Sequence, residues 1–310
     1  MSLIRRQLLS AFAASAALLT VVSWAAPVES SGHGNPVPDA RLTAPLAPPA
    51  SGEIRVAFLL SPGAEVVDFA GPWGVFEYVF TGDNHRKPFK LYTVAGSKEP
   101  VAVSGGMTVV PNHTLADAPK PHIIVVPAMD TDRVAPAVLD WLRTAQKDTD
   151  ITMSVCNGSF VLAQAGLLDG KSATAHHGSY TALRAEFAKV TVVRGVRFVE
   201  DGRIATAGGL TSGIDLALRV VERYFGREVA KQTTVNLEYQ GTGWMYPRSN
   251  AQFAQRRVGT DEHPICPVCE MQVSKNTSLK TEFEGKSYFF CGQWCQDHFV
   301  ANPGRYLAKK

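Results

Sequence analysis

The spacing of apolar residues changes several times along this chain, and each change marks an element. The runs "IRVAFLL" (54–60), "FKLYTVA" (89–95), "HIIVVP" (122–127) and "ITMSV" (151–155) are short and β-rich, as expected of buried parallel strands. Between them the period lengthens. Phe69, Trp73, Phe76 and Val79 recur near helical spacing over 68–79, and "VAPAVLDWLRTAQ" (134–146) is an amphipathic helix. "RFVEDGRIATA" (197–207) predicts a hairpin turning at Asp201-Gly202, and a further helix is predicted from about Ser212 to Tyr224. Strands alternating with helices predict an α/β domain over 53–245, its mainly parallel sheet sandwiched by helices.

The pattern fails at both ends. Arg5-Arg6 precede a long uncharged stretch, Leu8 to Ala26, and Ser23-Trp24-Ala25 offers small residues where a signal peptidase cuts. Residues 1–25 therefore read as an export signal. The order "RRQLL" is similar to the twin-arginine motif, whose machinery carries folded proteins. A periplasmic or secreted location is expected, with a membrane anchor as the alternative if the signal stays uncleaved. Residues 26–52 are Pro-rich and aperiodic, a tether that cannot bury a core. A second polar, aperiodic stretch, 246–262, leads to a tail, 263–310, that holds four of the five cysteines. A unit this small usually needs a staple.

Composition adds exclusions. Hydrophobic residues make up 45% and charged residues 19%, typical of a soluble globular protein. The net charge is only +3, with two of those charges on the leader arginines, so no nucleic-acid partner is expected.

The fifth cysteine, Cys156, ends the strand "ITMSV" at the turn into an apolar helical pattern. Ligands bind beyond the carboxyl ends of parallel strands, so this thiol is placed at the functional rim. The helix that follows points its free N–H groups toward the sulfur, which is expected to lower the thiol pKa. Gly158 leaves room for a tight turn, as small residues do in nucleophile elbows. A buried structural cysteine is the alternative.

Three separated blocks carry a resemblance: "DFAGPWGVFEY" (68–78), "SVCNGSFVLAQAGLLDGKSATAHH" (154–177) and "TAGGLTSGIDLAL" (206–218). In this order they resemble the ThiJ/PfpI superfamily, relatives of class I glutamine amidotransferase domains, and most nearly its branch of isonitrile hydratases and AraC-type regulator sensor halves. The resemblance implies a flavodoxin-like fold with no cofactor in the α/β domain, and commonly a homodimer. It implies Cys156 as nucleophile, Asp68 as the acid beside the sulfur, and His176 as the histidine that follows "AT". It also implies an oxyanion cradle drawn from Gly105, Gly106 and the N–H of Asn157. Departures accompany it: Asn157 stands where isonitrile hydratases carry threonine, His177 where tryptophan is common, and "VVPAMD" replaces "VPGG", so that Ala128 and Met129 narrow a region the family keeps open. The regulator branch is not expected, because it requires a helix-turn-helix after this domain.

In the tail, Cys266 and Cys269 form a C-x2-C pair and Cys291 and Cys295 a C-x3-C pair, separated by twenty-one residues. Such pairs read as a tetrahedral site for zinc, or for Cu(I), with two disulfides as the alternative in an exported protein. "CPVCEMQV", "FEGKSYFFCGQWCQDHF" and "NPGRYL" resemble the YHS domain along nearly its whole length. That resemblance makes Cys269, Cys291 and Cys295 the expected ligands. Cys266 stands where the family has aspartate and is the natural fourth, with His263 and His298 as weaker candidates; Glu270 replaces a glycine. Two functions remain open: a cysteine-dependent hydrolase or hydratase acting on a small electrophile, with a metal-binding appendage, or a non-catalytic protein that senses redox state or handles metal.

Overall fold

The structure, a computed structural model of the chain, describes residues 44–50, 52–277 and 279–307. The export signal and most of the Pro-rich segment lie outside the described residues. In chain order the elements are β1 (Ile54–Leu59), α1 (Val66–Glu77), β2 (Phe89–Ala95), β3 (Val101–Ala102), β4 (Thr108–Val109), β5 (His113–Thr114), β6 (Ile123–Val126), α2 (Pro136–Ala145), β7 (Ile151–Val155) and α3 (Gly158–Gln164). They continue as β8 (Ser172–Ala173), α4 (Tyr180–Glu186), β9 (Thr191–Val192), β10 (Phe198–Asp201), β11 (Ile204–Ala207), α5 (Ser212–Phe225) and α6 (Arg227–Asn236). The tail supplies β12 (Lys280–Phe283), β13 (Lys286–Phe289), α7 (Gln293–Ala301) and α8 (Pro303–Leu307).

The main sheet has seven strands in the order β10-β11-β7-β6-β1-β2-β5. All neighbours run parallel except β10 and β11, the expected hairpin. Every residue of β6, β7 and β11 is buried, which explains why these runs are continuously apolar or small rather than alternating. Among the described residues two large apolar clusters form, one on each face of the sheet, with a small third around Ala57, Tyr92 and Val94. Phe69, Phe76, Leu216 and Val220 bring α1 and α5 into the first. Leu142, Phe160 and Leu183 bring α2, α3 and α4 into the second.

The tail belongs to that second cluster, since Val268, Phe290, Phe299 and Tyr306 pack into the core that holds Leu162 and Leu183. Its own strands form only a two-stranded hairpin, which is marginal alone. Borrowed apolar surface supplies part of what its length cannot. Polar contacts fasten it as well. The Trp294 indole N–H donates to Asp132 at 2.7 Å, and His298 sits between Asp132 at 3.4 Å and Glu186 at 3.2 Å. The polar stretches on either side of the α/β domain are also held. The Arg197 N–H donates to Pro247 at 2.6 Å, and Phe253 stacks on His177 at 4.1 Å. The end of the Pro-rich segment lies along α5, where Leu46 N–H donates to the Arg223 carbonyl at 2.8 Å.

A candidate thiol site and a cysteine cluster

Cys156 stands between β7 and α3 with φ +57°, a left-handed conformation that a side chain with a Cβ adopts at a cost of about 1–2 kcal/mol. Its surroundings over-determine that conformation. The Cys156 N–H lies 2.9 Å from the Gly208 carbonyl and 3.2 Å from that of Ala207, while the Ser159 hydroxyl donates to the Cys156 carbonyl at 3.2 Å. Gly158 is dictated by space, because a Cβ there would meet the Val126 carbonyl oxygen at 2.1 Å. α3 thereby presses onto β6, and the thiol stands at the carboxyl edge of the sheet, 8% exposed.

Asp68 is fully buried in the first turn of α1. Its Oδ2 accepts from the Ala128 N–H at 3.0 Å, while the Ala128 carbonyl accepts from the Glu65 N–H at 2.8 Å. Ala128 therefore pins the acid-bearing turn from both sides. Burial pushes the Asp68 carboxyl up to about 7, against the Ala128 hydrogen bond and with the Glu65 charge adding to it.

The thiol pKa moves opposite to the expectation from the helix end. Burial pushes Cys156 up to about 12, and the Asp68 and Glu65 charges add to the rise. Only the N–H groups of Asn157 and Leu210, which meet the sulfur, pull the other way. The physical reason is the depth of the thiol and the sign of its nearest charges, and the following helix is only 7 residues long. The site is thus a protonated thiol beside a carboxyl poised near neutrality. Asp68 Oδ1 and Asn157 Oδ1, both buried, have no hydrogen-bond partner among the described residues. They are acceptors still open to a donor.

The other expected residues are placed less directly. His176 accepts the Gly178 N–H on Nδ1 at 3.2 Å, and its ring presses on Gly209, where a Cβ would come within 2.4 Å of Cδ2. It supports the turn that presents Leu210 to the sulfur. Burial, with the Arg257 charge, holds its pKa below the ordinary histidine value. Gly105 and Gly106 occupy an exposed turn with φ +67° and +81°. That turn reaches the site through Ser104, whose hydroxyl donates to Glu65 at 3.1 Å and accepts the Val66 N–H at 3.0 Å. Leu210 and Glu65 were missed in the sequence. Their signals were there in part: "GGL" marks a turn, and Glu65 precedes Asp68 by three residues on one helical turn.

In the tail, the Sγ atoms of Cys266, Cys269, Cys291 and Cys295 all lie within 4.8 Å of one another. None is in a disulfide. The Cys269–Cys291 separation is 3.2 Å and the Cys291–Cys295 separation 3.6 Å. Four sulfurs bonded to one zinc would stand roughly 3.8 Å apart, so shifts of about 1 Å or less would bring the set onto a tetrahedral ion. Two ligands come from a knuckle in which the Glu270 N–H donates to the Cys266 carbonyl at 2.9 Å; the other two flank the start of α7. S–H donation from Cys269 and Cys295 holds the Cys266 thiol below its ordinary value, so this cluster readily carries a first thiolate. Neither His263 nor His298 belongs to the set; His298 is engaged by Asp132 and Glu186.

Residues 54–223 match the DJ-1/PfpI family. The chain belongs to that family. Its tail, residues 265–310, is a YHS domain. Among DJ-1/PfpI relatives, the isonitrile hydratase of Pseudomonas putida is 32% identical over 193 residues, covering 60% of this chain and 78% of that one. The HTH-type transcriptional regulator CdhR of Pseudomonas aeruginosa is 30% identical over 229 residues, 72% of this chain and 66% of the regulator. A solved ThiJ/PfpI family protein from Pseudomonas syringae superposes with a TM-score of 0.55 at 26% identity, covering 69% of this chain and 85% of that one. The DJ-1/PfpI fold here is thus the expected flavodoxin-like one, joined to a domain whose four cysteines suit metal.

Proposed function

We propose that the DJ-1/PfpI domain is a cysteine-dependent hydratase or hydrolase for a small electrophilic substrate. The observation that carries this reading is a thiol held at φ +57° beside a buried carboxyl whose pKa lies near 7. A carboxyl so tuned takes a proton from one group and returns it to another at neutral pH. In the proposed cycle the Cys156 sulfur bonds to the electrophilic carbon as its proton passes to Asp68. The N–H groups of Asn157 and Leu210 stabilise negative charge on the sulfur as it forms. Asp68 then protonates the adduct, takes a proton from the water that attacks the same carbon, and passes it to the sulfur as the carbon–sulfur bond breaks, the second water proton staying on the product. Cys156 returns as a thiol. An isonitrile is the first substrate class to test, because the curated relative above is named for its hydration.

A turnover screen of isonitriles, amides and reactive carbonyls, with Cys156→Ser as blank, tests the proposal. Turnover by the wild type and a loss of at least about 10³-fold in the variant are expected, the usual scale for a nucleophile. Equal rates in the two proteins would remove Cys156 from the chemistry. The depth of Cys156 favours a second reading, a non-catalytic metal-handling protein, and that reading gains if no substrate turns over.

We further propose that the protein is exported through its twin-arginine-like leader and that zinc occupies the YHS cluster. Loading in the cytoplasm before export would protect the four thiols from oxidation. Elemental analysis of protein purified without added metal is expected to give one zinc per chain, lost in Cys269→Ser. A reporter fused after residue 52 should leave the cytoplasm, and Arg5→Lys with Arg6→Lys should retain it.

A further inference from the structure

A cleft between the two domains opens beside the cysteine cluster, with Cys269 in its wall and Cys156 outside it. It is an open cleft with about 30 Å³ of enclosed space, room for one small polar group rather than for a whole molecule. Its α/β-side walls are His177, Arg194, Gln252, Phe253, Gln255 and Arg257, and the turn from Cys269 to Met271 closes the far side. The stacked rings of His177 and Phe253, 14° from parallel, give it a flat floor.

Charge here is unbalanced. Glu270 carries the cleft's one carboxylate, and it is already committed: Arg194 lies 2.7 Å away, Arg256 3.2 Å away, and the Thr181 hydroxyl also donates to it. Arg257 has no ion pair or hydrogen bond among the described residues, although its charge acts on both His176 and His177. Arg184 stands close enough to Arg194 and Arg256 to be repelled by them. Arg184, Arg194 and Arg256 thus share one carboxylate, and Arg257, which lines the cleft with Arg194, has none. The remaining polar groups, the amides of Gln252 and Gln255, can donate as well. Burial holds His177 down to about 4, with His176, Arg257 and Arg194 adding to the effect, so the ring stays neutral and does not itself supply charge.

We propose that this cleft binds the oxyanion of a small molecule, a carboxylate or phosphate group, with Arg257 as its main charged contact and Arg194 as the second. Guanidinium groups suit such oxyanions because their forked donors match paired oxygens. The site lies against the cysteine knuckle, so both domains must be in place to form it.

The test titrates the metal-loaded full chain with inorganic phosphate, and separately with succinate, at constant ionic strength. Calorimetry measures binding, and the histidine ring proton spectrum locates it. Saturable binding near ~1 mM is expected, with the His177 resonances perturbed. Arg257→Gln should weaken binding at least about tenfold, the size of one charge-assisted hydrogen bond. Arg227→Gln, on α6 outside the cleft, should leave it unchanged. Tighter phosphate than succinate assigns a phosphate group, and the reverse a carboxylate. Three results would overturn the proposal: no saturable response into the tens of millimolar; an Arg257→Gln titration matching the wild type; or Arg257→Gln losing metal while phosphate affects neither protein. The last would mean that the guanidiniums serve only to balance the metal–thiolate centre.

Discussion

Asp68→Asn is expected to make the protein more stable above neutral pH while silencing its chemistry. The carboxyl is fully buried, and burial raises its pKa from an ordinary 3.8 to about 7. Below pH ~4 it is neutral whether the chain is folded or not, and it costs nothing. Between about 4 and 7 the unfolded chain ionises and the folded one does not, so stability falls as pH rises. Above 7 the loss is complete, about 4 kcal/mol at 1.36 kcal/mol per pKa unit. Asparagine keeps the acceptor for the Ala128 N–H and removes the titration. The variant should therefore gain about 2–4 kcal/mol over the wild type at pH 8 and nothing at pH 4, read by urea unfolding at the two pH values. Iodoacetamide labelling resolved to the Cys156 peptide supplies a second readout. Removing a negative charge beside the sulfur lowers the thiol pKa, so labelling at pH 8.5 should accelerate about tenfold even as turnover falls. Slower labelling would mean that proton removal by Asp68 outweighs the effect of its charge on the sulfur, and the charge argument would fail.

Such a pairing of a stability gain with a functional loss would mark Asp68 as a residue whose burial the fold tolerates for chemistry. Its place in "GAEVVDF" was legible in the sequence through its position after the first strand and its resemblance to the family acid. Its environment was not. Burial depends on Ala128, sixty residues away, closing over the turn between β1 and α1, and no local pattern reports that contact. The same distinction holds for Cys156. Strand-to-helix periodicity located it at the sheet edge, but the sign of its pKa shift comes from desolvation and from Asp68 and Glu65, which topology assembles. Leu210 shows the limit from the other side. Its backbone N–H, not its side chain, meets the sulfur, and a backbone contact leaves no residue-type signature. The parallel sheet was readable because buried strands are apolar throughout. The docking of the tail was not, because Tyr288, Phe289 and Phe290 read as the tail's own small core, whereas Phe290, Phe299 and Tyr306 pack into the cluster shared with the α/β domain.

Stripping metal from the YHS domain is expected to loosen α4 of the other domain as well. The four-sulfur cluster holds together a hairpin and two short helices that bury most of their aromatic surface in the shared core. Structural zinc contributes roughly 10 kcal/mol or more to the folding of isolated zinc peptides, far above what a two-stranded hairpin supplies. With the ion removed by a chelator, or with Cys266→Ser, the knuckle that presents Glu270 has no fixed shape. Glu270 then releases Thr181 on α4 and Arg194 beyond it, while Tyr306 releases Glu186 at the end of α4. Hydrogen exchange should rise by at least about tenfold in residues 180–186 as well as in residues 263–307, with β1 and β6 unchanged. Glu270→Gly separates the two contributions. Glu270 has φ +60°, so glycine relieves about 1 kcal/mol of backbone strain in the knuckle while leaving Arg194 and Arg256 without their carboxylate. Metal should stay bound in this variant, but α4 should exchange faster than in the wild type. If α4 stays protected after the ion is gone, apolar packing alone seats the tail. The ion would then hold together only its own knuckle.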